Sequence, residues 1–455
     1  MDTTLGATRA KTVLRGSVHD SAAAATGPAS RTASTTQRRM TAADTLNAPM
    51  AASYRLVWVL VVAAWVSNYL VRMALPALLP PIIAELGLTY TRAGLLATGA
   101  FFYAYAAVQL PAGLLGDRFG RRLVLVCGLV AGGVASVLTG LATGFAALLS
   151  ARVATGLAQG CVFSNDRAIV AAVTPRDKIA LGQAVSFSGP GLGITVGLLL
   201  GGLLGSLMPW RHVFFVVAAA PLVAAVLIAR YVPEGRRGAS PAALGTRVRL
   251  VLRQPDLWVL GLSGTAVMWA QYTVATWAPM LFMQAGVEAL DRAAFLASLQ
   301  GVAGVLGLLA GGLVSDRARR RGISHKAVAA AGLVGTAAAL AAMALVIQSG
   351  GSPWALLATV LAMAVGSWAV WGPSFALLGE VFGGDDVSTA FGLYNMICVI
   401  GAAIGPVVLG WARDVTGSFA AGCWISTAVA LAGAVAALAV TPAFRVTAPP
   451  VTARV

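Results

Sequence analysis

From residue 56 onward the sequence is a succession of apolar runs of about twenty residues or more, separated by short polar breaks. Twelve such runs can be counted, the first over 56–79, the second over 93–115, the fourth over 145–173, the fifth over 180–206 and the last over 420–441. A bilayer core is crossed by about 20 residues of α-helix, and it offers no water to an open backbone, so each run reads as a helix. The pattern predicts an all-α polytopic membrane protein with twelve transmembrane helices. Composition excludes the soluble classes: 58% of the 455 residues are hydrophobic and only 11% charged, against about 25% charged in soluble domains. The four cysteines, Cys127, Cys161, Cys398 and Cys423, lie in apolar runs without metal-ligand spacing. Neither a metal site nor a disulfide framework is expected, and no cofactor is called for.

A net charge of +16 would suggest nucleic acid in a soluble chain. Here the basic residues follow the loops. With the N-terminus in the cytoplasm, only Arg92, Arg211, Arg292 and Arg413 of the 32 Lys and Arg fall in external loops. The positive-inside rule therefore predicts cytoplasmic N- and C-termini in a cell (inner or plasma) membrane, with the bilayer and not nucleic acid as partner. Residues 1–50 read as a disordered cytoplasmic tail, although their Arg-rich, acid-poor character also fits an organellar transit peptide. Residues 51–231 form a first six-helix bundle, 232–256 a cytoplasmic linker loop with three prolines and five arginines, 257–441 a second bundle and 442–455 a C-terminal tail. A monomer is expected.

Two internal echoes point to a duplicated chain. Gly113-Leu-Leu-Gly-Asp117-Arg118-Phe-Gly120-Arg121-Arg122, between spans 2 and 3, recurs in degenerate form at Gly312-Leu-Val-Ser-Asp316-Arg317, and Gly189-Pro190 pairs with Gly405-Pro406. Parallel halves around a central site are a transporter architecture. Gly120 permits a tight turn, and Asp117 can pair with an arginine in one conformation only, so the loop is a candidate gate. On these residues the sequence resembles the major facilitator superfamily, whose signature loop has this order. The resemblance covers about residues 56–441 and implies two six-helix bundles with a cavity opening alternately to each side.

Span 5 has glycines at 189, 193, 197, 201 and 205, which places Gly189, Gly193, Gly197, Gly201 and Gly205 on one slowly drifting helix face. The segment lies inside an apolar run with no following lysine, so close helix packing is expected rather than a phosphate cradle. Span 8 repeats the theme at Gly301, Gly304, Gly307 and Gly311. Both stripes are expected at a sliding interface between the halves.

Ionisable residues inside hydrocarbon are costly and mark function by default. Arg72 in span 1 and Arg152 in span 4 fall at similar depth in the outer half of the first bundle. Two guanidiniums at one level read as an anion site, with snorkelling to the outer headgroups as the bland alternative. Tyr69 shares a face with Arg72, and Tyr105 shares one with Gln109, which suits an organic anion. From the second half, Gln271, Tyr272, Ser374 and Asn395 offer uncharged groups for the remainder of a substrate. Asp166 lies on the stripe of Arg152 and Gln159 near the cytoplasmic end, where it reads as a gate, with a structural pairing to Arg118 or Arg122 as the alternative.

Within the superfamily, Asn68-Tyr69-Leu-Val71-Arg72 and the span 2 stretch from Phe101 to Gly113 look like the anion:cation symporter branch, which moves sugar acids and other organic anions. That resemblance implies carboxylate binding by Arg72 and a partner role for Arg152. The branch usually carries an aspartate where this chain has Val71, and a coupling glutamate where it has Gln159. Neither replacement exchanges a proton near neutral pH. The expected function is secondary transport of a small organic anion without the usual proton relay. An efflux carrier for apolar or cationic compounds is the alternative, partly supported by the Gly-Pro pairs, and a transport-dead sensor is the third. No enzyme constellation is visible: no His or Cys cluster has metal spacing and no serine has a histidine partner within a span.

Overall fold

The computed structural model describes residues 53–175, 178–234, 241–382 and 387–441. The expectations for the tails 1–50 and 442–455 lie outside the described residues. Among the described residues twelve long helices follow in order: α1 (Tyr54–Leu86), α2 (Tyr90–Phe119), α3 (Arg121–Leu141), α4 (Phe145–Val173), α5 (Ile179–Leu207) and α6 (Trp210–Tyr231) come first. They are followed by α7 (Pro255–Gln284), α8 (Leu290–Arg320), α9 (His325–Gln348), α10 (Pro353–Val381), α11 (Val387–Thr416) and α12 (Ala420–Ala439). Eleven of these are long and apolar enough to cross a bilayer. The remaining one, α7, has 30 residues but carries Ser263, Gln271, Tyr272, Thr273 and Thr276, all buried against other helices rather than lipid.

The helices outrun the apolar runs that predict them. Helix α1 continues past residue 79 through Pro80 and Pro81 and stops at Gly87, whose φ of 58° ends the helix in the left-handed region. Proline inside a membrane helix is tolerated because neighbouring groups satisfy the carbonyl it frees. The linker, expected as loop, contains the helix Pro241–Leu252; proline at a helix's first turn costs no hydrogen bond. Two spans are irregular. Helix α2 contains a π-helical turn over Leu95–Gly99, and α10 breaks at Val370, three residues before Pro373.

The glycine stripe of α5 packs where the sequence alone did not place it. A Cβ on Gly189, Gly193 or Gly197 would run into Trp65, Tyr69 or Met73, and one on Gly201 or Gly205 into Ala74 or Leu78, so all five glycines face α1 within the first six helices. The contact between the first and last six helices uses a neighbouring face of α5, where Gly202 meets Ala294 and Gly191 meets Val305 on α8. On α8 only Gly301 faces α5, while Gly304, Gly307 and Gly311 lie against Trp368, Val365 and Ala369 of α10. The expectation that both stripes line a sliding interface is therefore corrected. Residues four apart drift only slowly around a helix and keep one neighbour, and that neighbour belongs to the same half.

The two halves meet along α1 with α7, α2 with α11, and α5 with α8. At the end of the bundle remote from Asp117 they are tied by Asp414 of α11, whose carboxylate accepts from the backbone N–H of Tyr90 (2.9 Å) and Thr91 (2.8 Å) and from the Thr91 hydroxyl (2.6 Å). Three donors from the first turn of α2 are thus satisfied by an acid on the other half, at the positive end of the helix dipole. Close by, Gly94 lies against the Pro406 carbonyl and Gly410 against that of Tyr90. This end is closed.

These contacts predict the effect of adding side chains. In Gly201→Leu the new Cβ meets the α1 main chain, with Ala74 Cα 2.9 Å away, and backbone cannot yield. Stability of the purified protein should fall by about 1–3 kcal/mol, the usual cost of overpacking. Gly335→Leu, where nothing lies within 4 Å, should leave the melting temperature unchanged. Equal melting temperatures for the two variants would contradict the packing described.

Candidate functional site

Between the two sets of helices lies a cavity of about 2130 Å³. Its mouth is lined by Asp117, Arg121, Glu234 and Asp316, at the end of the bundle opposite the Asp414 tie. Its walls carry Trp65, Phe163, Phe187, Trp368 and Trp371, and it ends in the middle of α1 at Tyr69 and Arg72. Aromatic faces supply rigid apolar surface, so any polar group aimed between them carries the specificity.

Arg72 is that group. It is only 3% exposed, and its Nε and Nη2 donate to Oε1 of Gln159 at 3.1 and 2.9 Å, while Nη1 donates to the Tyr272 hydroxyl at 3.1 Å. The rings of Tyr69 and Phe101 lie 4.3 and 4.5 Å from the guanidinium carbon, and those of Phe102 and Tyr105 stand within 5.5 Å. Among the described residues the neighbours offer neutral oxygens and π-faces and no carboxylate, so the positive charge is solvated but not neutralised. Gln159 is oriented by a bond from its Nε2 to the Asn68 carbonyl at 3.1 Å, which leaves Oε1 for Arg72. Beyond Arg72 the cavity is shut by the Tyr69 and Tyr272 hydroxyls, 2.7 Å apart across the α1–α7 contact.

Arg152 also approaches the Phe101 ring, 5.3 Å from its centroid, so both arginines lie near one side chain. It does not line the cavity, however. It is fully buried, with Nε and Nη2 donating to the carbonyls of Leu96 and Ala97 at 3.2 and 3.3 Å. Those carbonyls belong to the π-helical turn of α2, where the widened ladder leaves acceptor capacity. In this conformation the sequence-predicted pair shares a phenylalanine ring but not the cavity: Arg72 faces it and Arg152 braces its wall.

The other expected residues separate in the same way. Tyr69, Tyr105, Gln109, Gln271, Tyr272 and Asn395 line the cavity, with Asn395 Nδ2 donating to Gln109 Oε1 at 3.2 Å across the two halves. Gln159 is bonded to Arg72 from outside the lining, and Ser374 is likewise buried outside it. At the mouth, Asp117 pairs with Arg121 at 2.7 Å across the turn made by Gly120, whose φ is 110°. Gly113 lines the wall beside it, and Arg118 rests on the Phe119 ring. Asp316 lines the mouth from α8, while its neighbour Arg317 lies outside the lining.

Asp166 is partnered by neither Arg118 nor Arg122. Its carboxylate accepts from Trp65 Nε1 at 2.6 Å and from the backbone N–H of Arg167 at 2.7 Å, and it pairs with the Arg167 side chain at 3.5 Å. Arg122 binds Glu234 at 3.1 Å and the Val232 carbonyl at 3.0 Å instead. Sequence reasoning passed over Arg167, which lines the cavity beside Trp65, Phe163 and Phe187. The signal available was an ionisable residue inside an apolar run, the same signal that singles out Arg72.

A bundle of membrane helices in two sets around an aromatic cavity, shut at one end and open at the other, defines a secondary-transporter fold rather than an enzyme. The family model described as Major Facilitator Superfamily matches residues 60–324, and the chain belongs to that superfamily. Over 408 residues it is 27% identical to a probable sulfoacetate transporter of Cupriavidus necator, covering 84% of this chain and 92% of that one. Over 340 residues it is 30% identical to a chloramphenicol resistance protein of Streptomyces lividans, covering 73% and 83%. A solved structure of a bacterial homologue of the human lysosomal transporter Spinster, inward-facing and occupied, superposes with a TM-score of 0.70 at 19% identity, covering 85% of this chain and 96% of that one.

If Gln159 holds Arg72 as described, Gln159→Leu strands two guanidinium donors and should cost about 1–3 kcal/mol of stability. The pair should be coupled: in a double-mutant cycle with Arg72→Met, the two losses should fall short of additivity by at least about 1 kcal/mol. Additive losses in thermal unfolding would show that the two side chains do not depend on each other.

Proposed function

We propose that this protein is a secondary transporter of a small organic anion, working by alternating access, with Arg72 as the residue that holds the anionic group. The observation that supports it most is the guanidinium at the blind end of the cavity, hydrogen-bonded to an amide and a phenol and surrounded by aromatic rings, with no carboxylate on it. A buried cation without a counter-ion is costly, and a carboxylate or sulfonate entering the cavity offsets that cost. Tyr69, Tyr105 and Gln109 orient the anion, and Gln271, Tyr272 and Asn395 contact the remainder of the molecule. By the distribution of basic residues the mouth faces the cytoplasm, in a cell membrane with both termini inside, and the conformation is open inward.

The Asp117–Arg121 pair beside the mouth lies wholly within the first half in this conformation. Closing the mouth brings Asp117 towards the second half, where Asp316 is its counterpart, and exchanging its partner biases the two-state equilibrium. Coupling to protons is not expected, since Gln159 and Val71 stand where an exchangeable acid would serve.

The alternative reading is efflux of apolar or cationic compounds. It is favoured by the aromatic walls and by the similarity to a chloramphenicol resistance protein. Against a cationic substrate stands the Arg72 charge, which repels it.

In vesicles containing the purified protein, Arg72→Gln should insert normally but lose more than ten-fold in organic-acid exchange, while Asp117→Asn slows exchange and leaves binding affinity within about two-fold. Undiminished exchange in the Arg72 variant would refute the anion assignment. An imposed pH gradient at zero voltage should drive no uptake by the wild-type protein. Uptake that follows the gradient and collapses with a protonophore would show a proton carrier that this account lacks.

A further inference from the structure

We infer that the substrate is a small dianion with its charged groups at opposite ends, and that Arg167 is the second anchor. The inference rests on the anion-transport reading above and gives its substrate class.

Three guanidiniums lie within the spans of the first half, Arg72, Arg152 and Arg167, against one carboxylate, Asp166, among the described residues there away from the helix ends. Arginine does not deprotonate in proteins, so none of the three relieves the imbalance by losing a proton. Asp166 is committed to Trp65 and to its neighbour Arg167. The interior is left with two positive charges in excess. One anionic group on Arg72 removes half of that excess.

Arg167, although paired with Asp166, keeps donor capacity for a second anionic group. Its Nη1 is fixed on the carbonyl and Oε1 of Gln183 at 3.2 and 3.3 Å, and Gln183 Nε2 returns a bond to the Arg167 carbonyl at 2.9 Å. The guanidinium is thereby held against the rings of Trp65, Phe163 and Phe187, each within 5.9 Å of it. Its Nη2 is buried without a hydrogen-bond partner, although the side chain borders the cavity. An orphaned donor of that kind costs free energy until an acceptor arrives.

The two anchors face one another along α1. The Tyr69 ring lies 4.3 Å from the Arg72 guanidinium carbon and 6.0 Å from the Trp65 ring, which is itself 5.9 Å from that of Arg167. Trp65 and Arg72 are seven residues apart on one helix, so Arg72 stands about 10 Å along the axis from the residue whose ring Arg167 approaches. A chain of a few carbons with an acid at each end fits between them, lying along the Trp65–Tyr69 edge, while a monoacid leaves one guanidinium without an acceptor.

The experiment compares linear dicarboxylates of four to six carbons with monocarboxylates of the same length, by calorimetric binding to the full-length protein in detergent. The wild type should bind at least one dicarboxylate ten-fold or more tighter than its monocarboxylate counterpart. Arg167→Gln should reduce that ratio to about one while leaving the monocarboxylate affinity unchanged, and Arg72→Gln should abolish binding of both classes. Arg167→Lys, which keeps the charge, should retain part of the preference. A wild-type protein that binds both classes equally overturns the dianion assignment by itself, as does an Arg167→Gln ratio equal to that of the wild type. In either case, loss of all binding in Arg72→Gln leaves the anion site standing. Binding of neither class by the wild type overturns both.

Discussion

Everything about the cavity depends on one buried guanidinium, Arg72, that has no counter-ion among the described residues. A charge in the interior of a membrane protein is tolerated only when hydrogen bonds and polarisable faces replace its water. Around Arg72 those replacements come from four places in the chain: Gln159 on α4, Tyr272 on α7, the aromatic residues of α2 and Tyr69 one turn away on α1. Each desolvated ring contact is worth about 2 kcal/mol, and the hydrogen bonds hold the plane of the group. None of these neighbours cancels the charge. The cage makes Arg72 affordable in the membrane and keeps it available to an anion.

The same arrangement joins the site to the conformational cycle. Tyr272 belongs to the second half of the chain, and its hydroxyl meets both Arg72 and Tyr69 of the first. On the proposed reading, an acid that takes the Arg72 donors competes with the bond that shuts the blind end, and binding and opening then share one interaction. Behind it the closed end is held by Asp414 on the first turn of α2 and by glycine-to-backbone contacts of α2 with α11 and of α5 with α8. Such contacts are short-range and break together when the halves rock. The all-glycine stripe of α5 against α1 is of another kind, since it welds two helices of one half into a unit that moves as a body.

The twelve helices were legible because hydrocarbon imposes a length and a composition on every span. Arg72 was legible for the complementary reason: a charge in an apolar run needs a purpose. What the sequence concealed depends on neighbours rather than on pattern. Spacing shows that the α5 glycines share a face, but not which helix fills it. Arg152 has the same signature as Arg72, and only the π-helical turn of α2, a backbone feature without a side-chain code, draws it away from the cavity. Arg167 carries the same signal and was passed over, the partners considered for its neighbour Asp166 being Arg118 and Arg122. In the structure Asp166 meets Arg167 at Nε, and the arginine side chain also borders the cavity.

The central claim is that Arg72 is an unneutralised cation awaiting an anion. Thermal stabilisation of the purified protein by a panel of small organic acids and lipophilic cations, wild type beside Arg72→Gln, tests it most directly, because a ligand of the folded state raises its apparent stability. The account predicts a shift with acids that vanishes in the variant. Shifts with cations or apolar compounds alone, unchanged in the variant, would make Arg72 structural and contradict it.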